Sequence, residues 1–343
     1  MSEKSRNKLS GALKMLLKAA IAAAVLIWLY SRKGEDLKQG FASYDYRFLV
    51  PALIPALIAA FAGSERWRLL AKIINIPLKR VEAFSLTMQG IFFSLVIPGG
   101  SIGGDVIKMA AMGRYVRAGS RTEGIFSIMI DRIVGMFALF LPVLILLFFN
   151  WHTFAGLKLP GSQGEFAGLT AWWVLVGGCS AGIFAGSAVF CHRLIEKIPG
   201  VRAVLKFLDD KSSGKVSRVF AAADIYVRSP GRILALVLLS VFAVHLMPVL
   251  VFAILLAGTG AQIGVFTLCT AVLIGNIAGL IPLFPGGIGA RDLVTVGLLI
   301  SAGYSPETVG TVQLLATGLM IVFNLTGSFF FIFDRKHPEE HHE

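Results

Sequence analysis

The stretches IPGGSIGGD at residues 97–105 and FPGGIGARD at residues 284–292 decide the fold of this chain. In each stretch a Pro-Gly-Gly string closes a long apolar run, and an aspartate follows seven residues after the proline. The two prolines lie 187 residues apart, and so do the two aspartates. Because proline removes a backbone donor and interrupts a helix, the paired stretches predict two helix breaks at corresponding positions of an internal repeat.

The composition places these breaks in a membrane protein. Hydrophobic residues make up 56% of the 343 residues and charged residues only 15%, with a mean hydropathy of +0.76. Soluble domains carry about 25% charged residues, so this composition argues against a soluble enzyme. Backbone groups in lipid must be paired within their own segment, and the runs lack the alternation of a transmembrane barrel. We therefore predict an all-α polytopic membrane protein.

The apolar runs predict about eight transmembrane helices and two re-entrant half-helices, since about 20 apolar residues cross a bilayer. The eight long runs cover residues 12–30, 48–64, 82–97, 124–149, 170–190, 233–257, 263–284 and 309–333. Two shorter pieces, at about 102–113 and 292–303, follow the Pro-Gly-Gly strings. The polar stretch 191–232 is expected to hold one or two surface helices.

Loop charges predict the orientation of the chain in the membrane. Basic residues concentrate in three connecting segments, namely 65–80, 114–121 and 191–232. The positive-inside rule then places both termini in the cytoplasm, although the stretch 31–47 lands outside with four basic residues. The formal charge of +12 is explained by this orientation and by contact with anionic lipids, and no nucleic-acid motif accompanies it.

This orientation makes the two halves of the chain antiparallel. The run 82–97 travels outward, whereas its partner 263–284 travels inward. We predict an inverted-topology repeat, an arrangement typical of transporters with interrupted helices. The first repeat would cover 1–160 and the second 161–343, with a cytoplasmic amphipathic segment at 191–232, within one membrane domain.

The two helix breaks predict binding sites for an anion. Half-helices that begin near Ile102 and Ile288 would present unpaired N–H groups and the positive end of a helix dipole, which is a site for phosphate or carboxylate. The candidate substrate-binding residues around the breaks are Gly99, Gly100, Gly103, Gly104, Asp105, Lys108, Gly286, Gly287, Gly289, Arg291 and Asp292. Asp105 and Asp292 would cap N–H groups, pair with a nearby Arg or Lys, or carry a proton.

Charged residues in other runs complete the candidate set. Asp131 and Arg132 lie about two turns into the run 124–149, where charges are costly and usually face a partner or cavity. The alternative is that both extend to the cytoplasmic interface. Arg66, beside Trp67, is expected to anchor its helix at the interface, with headgroup binding as the alternative. His245 is expected to be a packed neutral residue.

The sequence gives no sign of a catalytic centre. It holds no metal-ligand spacing and no phosphate-binding or catalytic motif, so we predict no cofactor and no metal. The three cysteines, in or beside apolar runs without CxxC spacing, are expected to be packing residues.

Three strings carry a family resemblance: SERWRLL at 64–70, LVIPGGSIGGDVIKMAAMGR at 95–114 and IPLFPGGIGARDLVTVGLL at 281–299. Together, in this order, they resemble the lysylphosphatidylglycerol synthase transmembrane-region family, also described as the flippase-like domain or UPF0104. The resemblance covers nearly the whole chain. Relatives often have Arg-Glu in the second motif, where this chain has Arg291-Asp292, so the acidic side chain here has a shorter reach.

The resemblance implies lipid transport. In the bacterial multiple-peptide-resistance-factor proteins such a domain is implied to move aminoacylated phosphatidylglycerol across the membrane, and a separate soluble domain makes the lipid. Stand-alone relatives are associated with hopanoid or isoprenoid-linked glycolipid pathways. Because the chain runs only about ten residues past its last apolar run, we expect no synthase domain and no enzymatic activity here.

We therefore predict a flippase of a prokaryotic cytoplasmic (inner) membrane that binds an anionic phospholipid or a polyprenyl-phosphate-linked lipid. The alternatives are a membrane-embedded lipid-modifying enzyme and a non-transporting subunit of a lipid or glycolipid biosynthetic complex. The expected partners are membrane phospholipids, with a second copy of the chain or a biosynthetic enzyme as further candidates, and no nucleic acid.

Overall fold

The structure is a computed structural model, and its described part is helical. It describes residues 38–97, 101–114, 116, 121–149, 151, 167–191, 193, 197, 200, 206–207, 209–211, 214–280 and 287–334. Helices, turns and irregular segments account for all of these residues, and no β-strand occurs among them. The predicted all-α class is confirmed for this part of the chain, whereas the predicted first run, 12–30, lies outside it.

The helices follow the predicted apolar runs closely. A 3₁₀ turn at Tyr46–Phe48 leads into the first of them. In chain order they are α1 (Leu49–Ile73), α2 (Arg80–Val96), α3 (Ser101–Ala111), α4 (Arg121–Phe149), α5 (Ala167–Phe190), α6 (Lys215–Val227), α7 (Pro230–Ala257), α8 (Val265–Gly279), α9 (Ala290–Ser301), α10 (Pro306–Leu325) and α11 (Gly327–Asp334).

Within the described ranges, five helical segments are long and apolar enough to cross a membrane. They are Tyr46–Ile73, Arg121–Phe149, Ala171–Phe190, Pro230–Ala257 and Pro306–Phe333. The predicted third and seventh spans form shorter helices, because α2 has 17 residues and α8 has 15. The multi-pass membrane class is thus supported by helix length and composition, while the count of eight spans stays a prediction.

Both predicted breaks coincide with helix ends. Helix α2 stops at Val96 and α3 starts at Ser101, and α8 stops at Gly279 before α9 starts at Ala290. The two helices after the breaks have only 11 and 12 residues. Gly287 and Gly289 have φ angles of +73° and +95°, a backbone region that glycine enters at little cost.

Glycine also lets the helices on either side of each break approach closely. A methyl group on Gly104 of α3 would collide with the backbone carbonyl of Gly90 in α2. In the second hairpin, a methyl on Gly287 would lie 2.5 Å from the carbonyl oxygen of Gly279, and one on Gly275 would lie 3.0 Å from that of Arg291. Each break is therefore a helix hairpin packed backbone to backbone.

The chain divides into two compact units. The first unit comprises Met1–Ala56, Gln89–Asp105 and Val249–Glu343, and the second comprises Leu57–Met88 and Val106–Pro248. Both breaks belong to the first unit. Each unit draws on segments from both of the predicted repeats, and the boundary between those repeats near residue 160 stays a prediction.

The second unit has an apolar core formed by α1, α4, α6 and α7. Leu70, Phe126 and Val134 pack there with Ala223 and Tyr226 of α6, and all five are fully or almost fully buried. The polar segment 191–232 was expected to hold surface helices, and α6 is one of them, seated on this core by one apolar face. The Tyr226 hydroxyl donates to the Leu70 carbonyl at 3.1 Å, and burial raises the pKa of this phenol.

The tight α2–α3 hairpin predicts an asymmetry between two alanine substitutions. Gly104→Ala forces a methyl into the Gly90 carbonyl, and we expect a loss of about 1–3 kcal/mol in the free energy of unfolding. The matched control is Gly318→Ala in α10, where nothing lies within 4 Å of the added methyl. It should be neutral or stabilising, because alanine favours a helix more than glycine does. Thermal unfolding in detergent measures both, and equal melting temperatures would contradict the backbone contact.

Candidate functional site

The second unit contains a buried ion pair between Arg66 of α1 and Asp131 of α4. Nε of the guanidinium lies 2.7 Å from Oδ1 of the carboxylate, and Nη2 lies 3.0 Å from Oδ2. The side chains are only 9% and 8% exposed. This bidentate geometry is the strong form of a charge-assisted hydrogen bond, and it explains how two charges remain inside an apolar helical framework.

Helix α7 supplies further polar partners to this pair. Nη1 of Arg66 donates to the Ser240 hydroxyl at 3.1 Å, and Ser240 in turn donates to the Leu236 carbonyl at 2.7 Å. Gly135, one turn after Asp131, leaves room for the guanidinium, since a methyl on it would lie 3.1 Å from Nη1. The arginine of α1 is thus held by α4 and α7, so that one side chain links three helices.

Helix α7 changes its hydrogen-bond register where it meets the ion pair. A π-helical segment covers Val241–His245, directly after Ser240. At its far end His245 Nε2 lies 3.0 Å from the Gly135 carbonyl oxygen, which can only accept, so this nitrogen is the protonated one. π-helical segments are rare and are often found at functional sites. Arg66, Asp131, Gly135, Ser240 and His245 together form what we call the ion-pair cluster.

A second polar contact lies one residue along α1. The Trp67 indole donates to the Ser127 hydroxyl at 3.3 Å, and Lys108 Nζ lies 4.7 Å from the centre of the Trp67 ring in a cation–π contact. Lys108 is buried as well, whereas Arg132 of α4 is exposed. The described part of the second unit therefore contains two buried cations, namely Lys108 and the paired Arg66.

The expectation that Arg66 and Trp67 anchor α1 at the membrane interface was wrong. Arg66 is 8% exposed and Trp67 is 0% exposed, so both lie inside the second unit. The reason is that α1 runs on to Ile73, nine residues past the predicted apolar run, and this extension packs into the core through Leu70 and Ala71.

The first unit holds a second guanidinium–carboxylate pair at the start of α9. Arg291 donates from Nε and Nη2 to Oδ1 of the adjacent Asp292, at 2.9 and 2.7 Å. Helix α10 supplies Gln313, whose Nε2 donates to the same oxygen at 3.0 Å, and Thr317, whose hydroxyl donates to Oδ2 at 3.0 Å. These four side chains form what we call the α9 network.

Asp292 also caps its own helix. Its Oδ2 accepts from the Gly289 N–H at 3.4 Å, which closes the first turn of α9. Both the predicted cap and the predicted pairing with a nearby arginine are therefore seen at Asp292. Asp105 is different, because the first turn of α3 contains no acidic residue and this buried aspartate lies one turn further on.

The predicted site residues fall into two groups in the structure. The first unit contains Gly103, Gly104, Asp105, Gly287, Gly289, Arg291 and Asp292, and the second contains Arg66, Lys108, Asp131 and Arg132. Gly99, Gly100 and Gly286 lie outside the described residues. Substrate binding by this set stays a prediction, which we develop below from the α9 network.

Sequence reasoning missed three polar residues that complete the two networks, namely Ser240, Gln313 and Thr317, and it treated His245 only as a packed neutral residue. Ser240 and His245 are isolated polar positions in the apolar run 233–257, and Gln313 and Thr317 lie four apart in the run 309–333, on one face of a helix. That spacing was the available signal. The hydrogen-bond partners of Arg66 lie 65 and 174 positions away in the sequence. In the α9 network, the residues of α10 lie 21 to 26 positions from the Arg291 or Asp292 that they bond, so the pattern alone could not pair them.

Comparison with known proteins agrees with the motif resemblance. The family model for the lysylphosphatidylglycerol synthase TM region matches residues 15–327. A UPF0104 membrane protein of Methanothermobacter thermautotrophicus is 22% identical over 316 residues, which is 88% of each chain. A UPF0104 membrane protein of Pyrococcus horikoshii is 21% identical over 307 residues, covering 88% of this chain and 91% of the relative. No solved structure matches the chain.

The ion-pair cluster predicts a strong coupling between its two charged members. Arg66→Leu leaves a buried carboxylate without its main partner, and Asp131→Leu leaves a buried guanidinium, so we expect each to cost about 3–5 kcal/mol. The double variant should cost clearly less than the sum of the two. Unfolding in detergent, followed for both single variants and the double variant, measures the coupling, and strictly additive losses would contradict the pair.

Proposed function

The chain belongs to the lysylphosphatidylglycerol synthase transmembrane-region family, and from this premise we propose that it is a lipid flippase. It binds a lipid with an anionic headgroup, either a phospholipid or a polyprenyl-phosphate-linked lipid, and moves it across the cytoplasmic membrane of a prokaryote. It acts as a transporter and catalyses no chemical step on the lipid.

The observation that carries this proposal is the position of Arg291. This arginine lies in the first turn of a short helix directly after a helix break, and its side chain is 19% exposed. Asp292 and Thr317 fix the orientation of the guanidinium. An oriented arginine and the N–H groups of a helix start are both suited to a phosphate oxygen.

A headgroup at this site leaves the lipid tails outside the helices. The phosphate binds the guanidinium edge that Asp292 does not occupy. The acyl or prenyl chains lie against the outward apolar faces of the helices, where large side chains such as Val50, Ile54 and Val322 are exposed. A cation inside an apolar protein thus replaces water around the phosphate and lowers the barrier to its passage.

The helix breaks give this site a route to both leaflets. We propose eight spans and two re-entrant half-helices in an inverted repeat, with both termini in the cytoplasm. Two facts support this arrangement: the breaks recur at an offset of 187 residues, and each is a glycine-packed helix hairpin. In transporters built this way, interrupted helices carry the substrate site and the repeats alternate in exposing it.

The proposal predicts that Arg291 is required for transport and not for folding. In proteoliposomes with a fluorescent anionic phospholipid, Arg291→Gln should slow headgroup movement at least ~10-fold, because a charge-assisted contact contributes about 1.5–3 kcal/mol. Arg291→Lys should fall in between, since lysine keeps the charge and loses the two-pronged contact. Quenching of the fluorophore from the outer leaflet measures the rate.

The control for this experiment is Arg228→Gln, which removes a positive charge from the exposed segment between α6 and α7. It should move lipid at the wild-type rate. Folded Arg291→Gln protein that moves lipid as fast as the wild type would refute a role of this arginine, and wild-type protein that moves no anionic lipid would refute the flippase function.

A further inference from the structure

Gln313 has one polar atom that the fold leaves without a partner. The residue is 6% exposed, in the middle of α10. Its Nε2 donates to Asp292 Oδ1 at 3.0 Å and to Thr317 Oγ1 at 3.2 Å, whereas its Oε1 is buried and has no hydrogen-bond partner among the described residues. Turning the amide around would set Oε1 against a carboxylate oxygen, so the network itself fixes this orientation.

The carboxylate of the α9 network is already saturated. Asp292 Oδ1 accepts from Arg291 twice and from Gln313 once, and Oδ2 accepts from Thr317 and Gly289. Five donors leave this carboxylate with no room for a ligand. Asp292 is therefore a positioning residue, which holds Arg291 and Gln313 in place.

Arg291 keeps one edge that its neighbours do not satisfy. Nε and Nη2 are engaged with Asp292 and Thr317, whereas Nη1 contacts, among the described residues, only the thioether sulfur of Met320, at 2.7 Å. A thioether is a weak acceptor, so this N–H edge remains the strongest unmet donor of the network. Arg291 Nη2 and Gln313 Nε2 both lie 3.2 Å from Thr317 Oγ1, so the guanidinium and the amide that carry the unmet donor and the unmet acceptor meet at one hydroxyl.

We propose that Gln313 is a specificity-determining residue of this site and that the substrate is a phosphodiester lipid whose headgroup carries hydroxyl groups, as glycerol or a sugar does. The inference rests on the function proposed above. The phosphate oxygen accepts from Arg291 Nη1, and a headgroup hydroxyl donates to Gln313 Oε1. A buried amide oxygen without a partner is unfavourable, so the hydroxyl supplies the bond that the empty site lacks.

The charges of the network favour a hydroxyl over an ammonium group as the donor. An ammonium group would lie close to the Arg291 guanidinium, and the one carboxylate in the network is already saturated. A neutral hydroxyl satisfies Oε1 without adding a second positive charge to a low-dielectric site. Arg291 and Asp292 are 19% and 16% exposed, so the headgroup reaches the guanidinium first and Oε1 as the site opens.

The test compares two anionic phosphodiester lipids, one with headgroup hydroxyls and one without. Phosphatidylglycerol and phosphatidylmethanol carry the same charge, and only the first has headgroup hydroxyls. In proteoliposomes, wild-type protein should move phosphatidylglycerol at least ~10-fold faster than phosphatidylmethanol, because a site with a buried acceptor discriminates against a ligand that lacks the donor. Gln313→Leu should reduce this ratio to about twofold or less, mainly by slowing phosphatidylglycerol.

Two further variants control for misfolding and for the general effect of a substitution inside α10. Gln313→Met, an unbranched side chain of similar length, serves if the leucine variant does not fold. Thr311→Val is the matched control, because Thr311 is fully buried in the same helix and its hydroxyl has no hydrogen bond among the described residues. It should leave the lipid ratio unchanged.

Binding separates this inference from transport. Melting-temperature shifts of the detergent-purified protein with each lipid should show the same preference for phosphatidylglycerol, and the same loss of preference in Gln313→Leu. If the melting-temperature shifts show this preference while no lipid crosses the membrane, the flippase function is refuted and the headgroup site is supported. Equal effects of both lipids on the wild type, an unchanged ratio in both Gln313 variants, or a stronger effect of phosphatidylethanolamine would each overturn the hydroxyl assignment.

Discussion

Both units of this protein obey one constraint, which is that a charge inside an apolar helical framework needs a partner of opposite charge. A guanidinium is always charged, and the low dielectric of an apolar helical interior penalises any charge that lacks a partner. Arg66 meets this requirement through Asp131, about three turns into α4, and Arg291 meets it through the adjacent Asp292. The two pairs differ in exposure, because the first is closed on all sides and the second is partly open.

That difference in exposure fits a structural role for the ion-pair cluster and a ligand-binding role for the α9 network. The ion-pair cluster joins α1, α4 and α7 through one guanidinium. In α7, Ser240 accepts from Arg66 directly before the π-helical segment, and His245 at the end of that segment bonds the Gly135 carbonyl. The α9 network instead leaves one guanidinium edge and one amide oxygen unmet. A buried and complete network stabilises a framework, whereas an incomplete and partly open one is suited to a ligand. The headgroup site that we propose therefore belongs to the first unit.

Much of this fold could be predicted from the sequence, because apolar runs and Pro-Gly-Gly strings act locally. The long runs mark α1, α4, α5, α7 and α10, and the strings mark the ends of α2 and α8. Long-range pairing could not be predicted: Trp67 and Arg66 have the composition of an interface anchor, and only their partners in α4 and α7 show that they are buried. Gln313 matters for the same reason, since only the fold reveals its unmet oxygen.

The most direct measurement of the central claim is photo-crosslinking of a phosphatidylglycerol analogue with a photoreactive group on its headgroup, in vesicles that contain the folded protein. The account predicts that mass spectrometry finds adducts on the first turn of α9 and the facing part of α10, near Arg291 and Met320, and that excess phosphatidylglycerol suppresses them. Adducts confined to outward apolar side chains such as Val50 and Ile54, or adducts that excess lipid does not suppress, would contradict a headgroup site at Arg291.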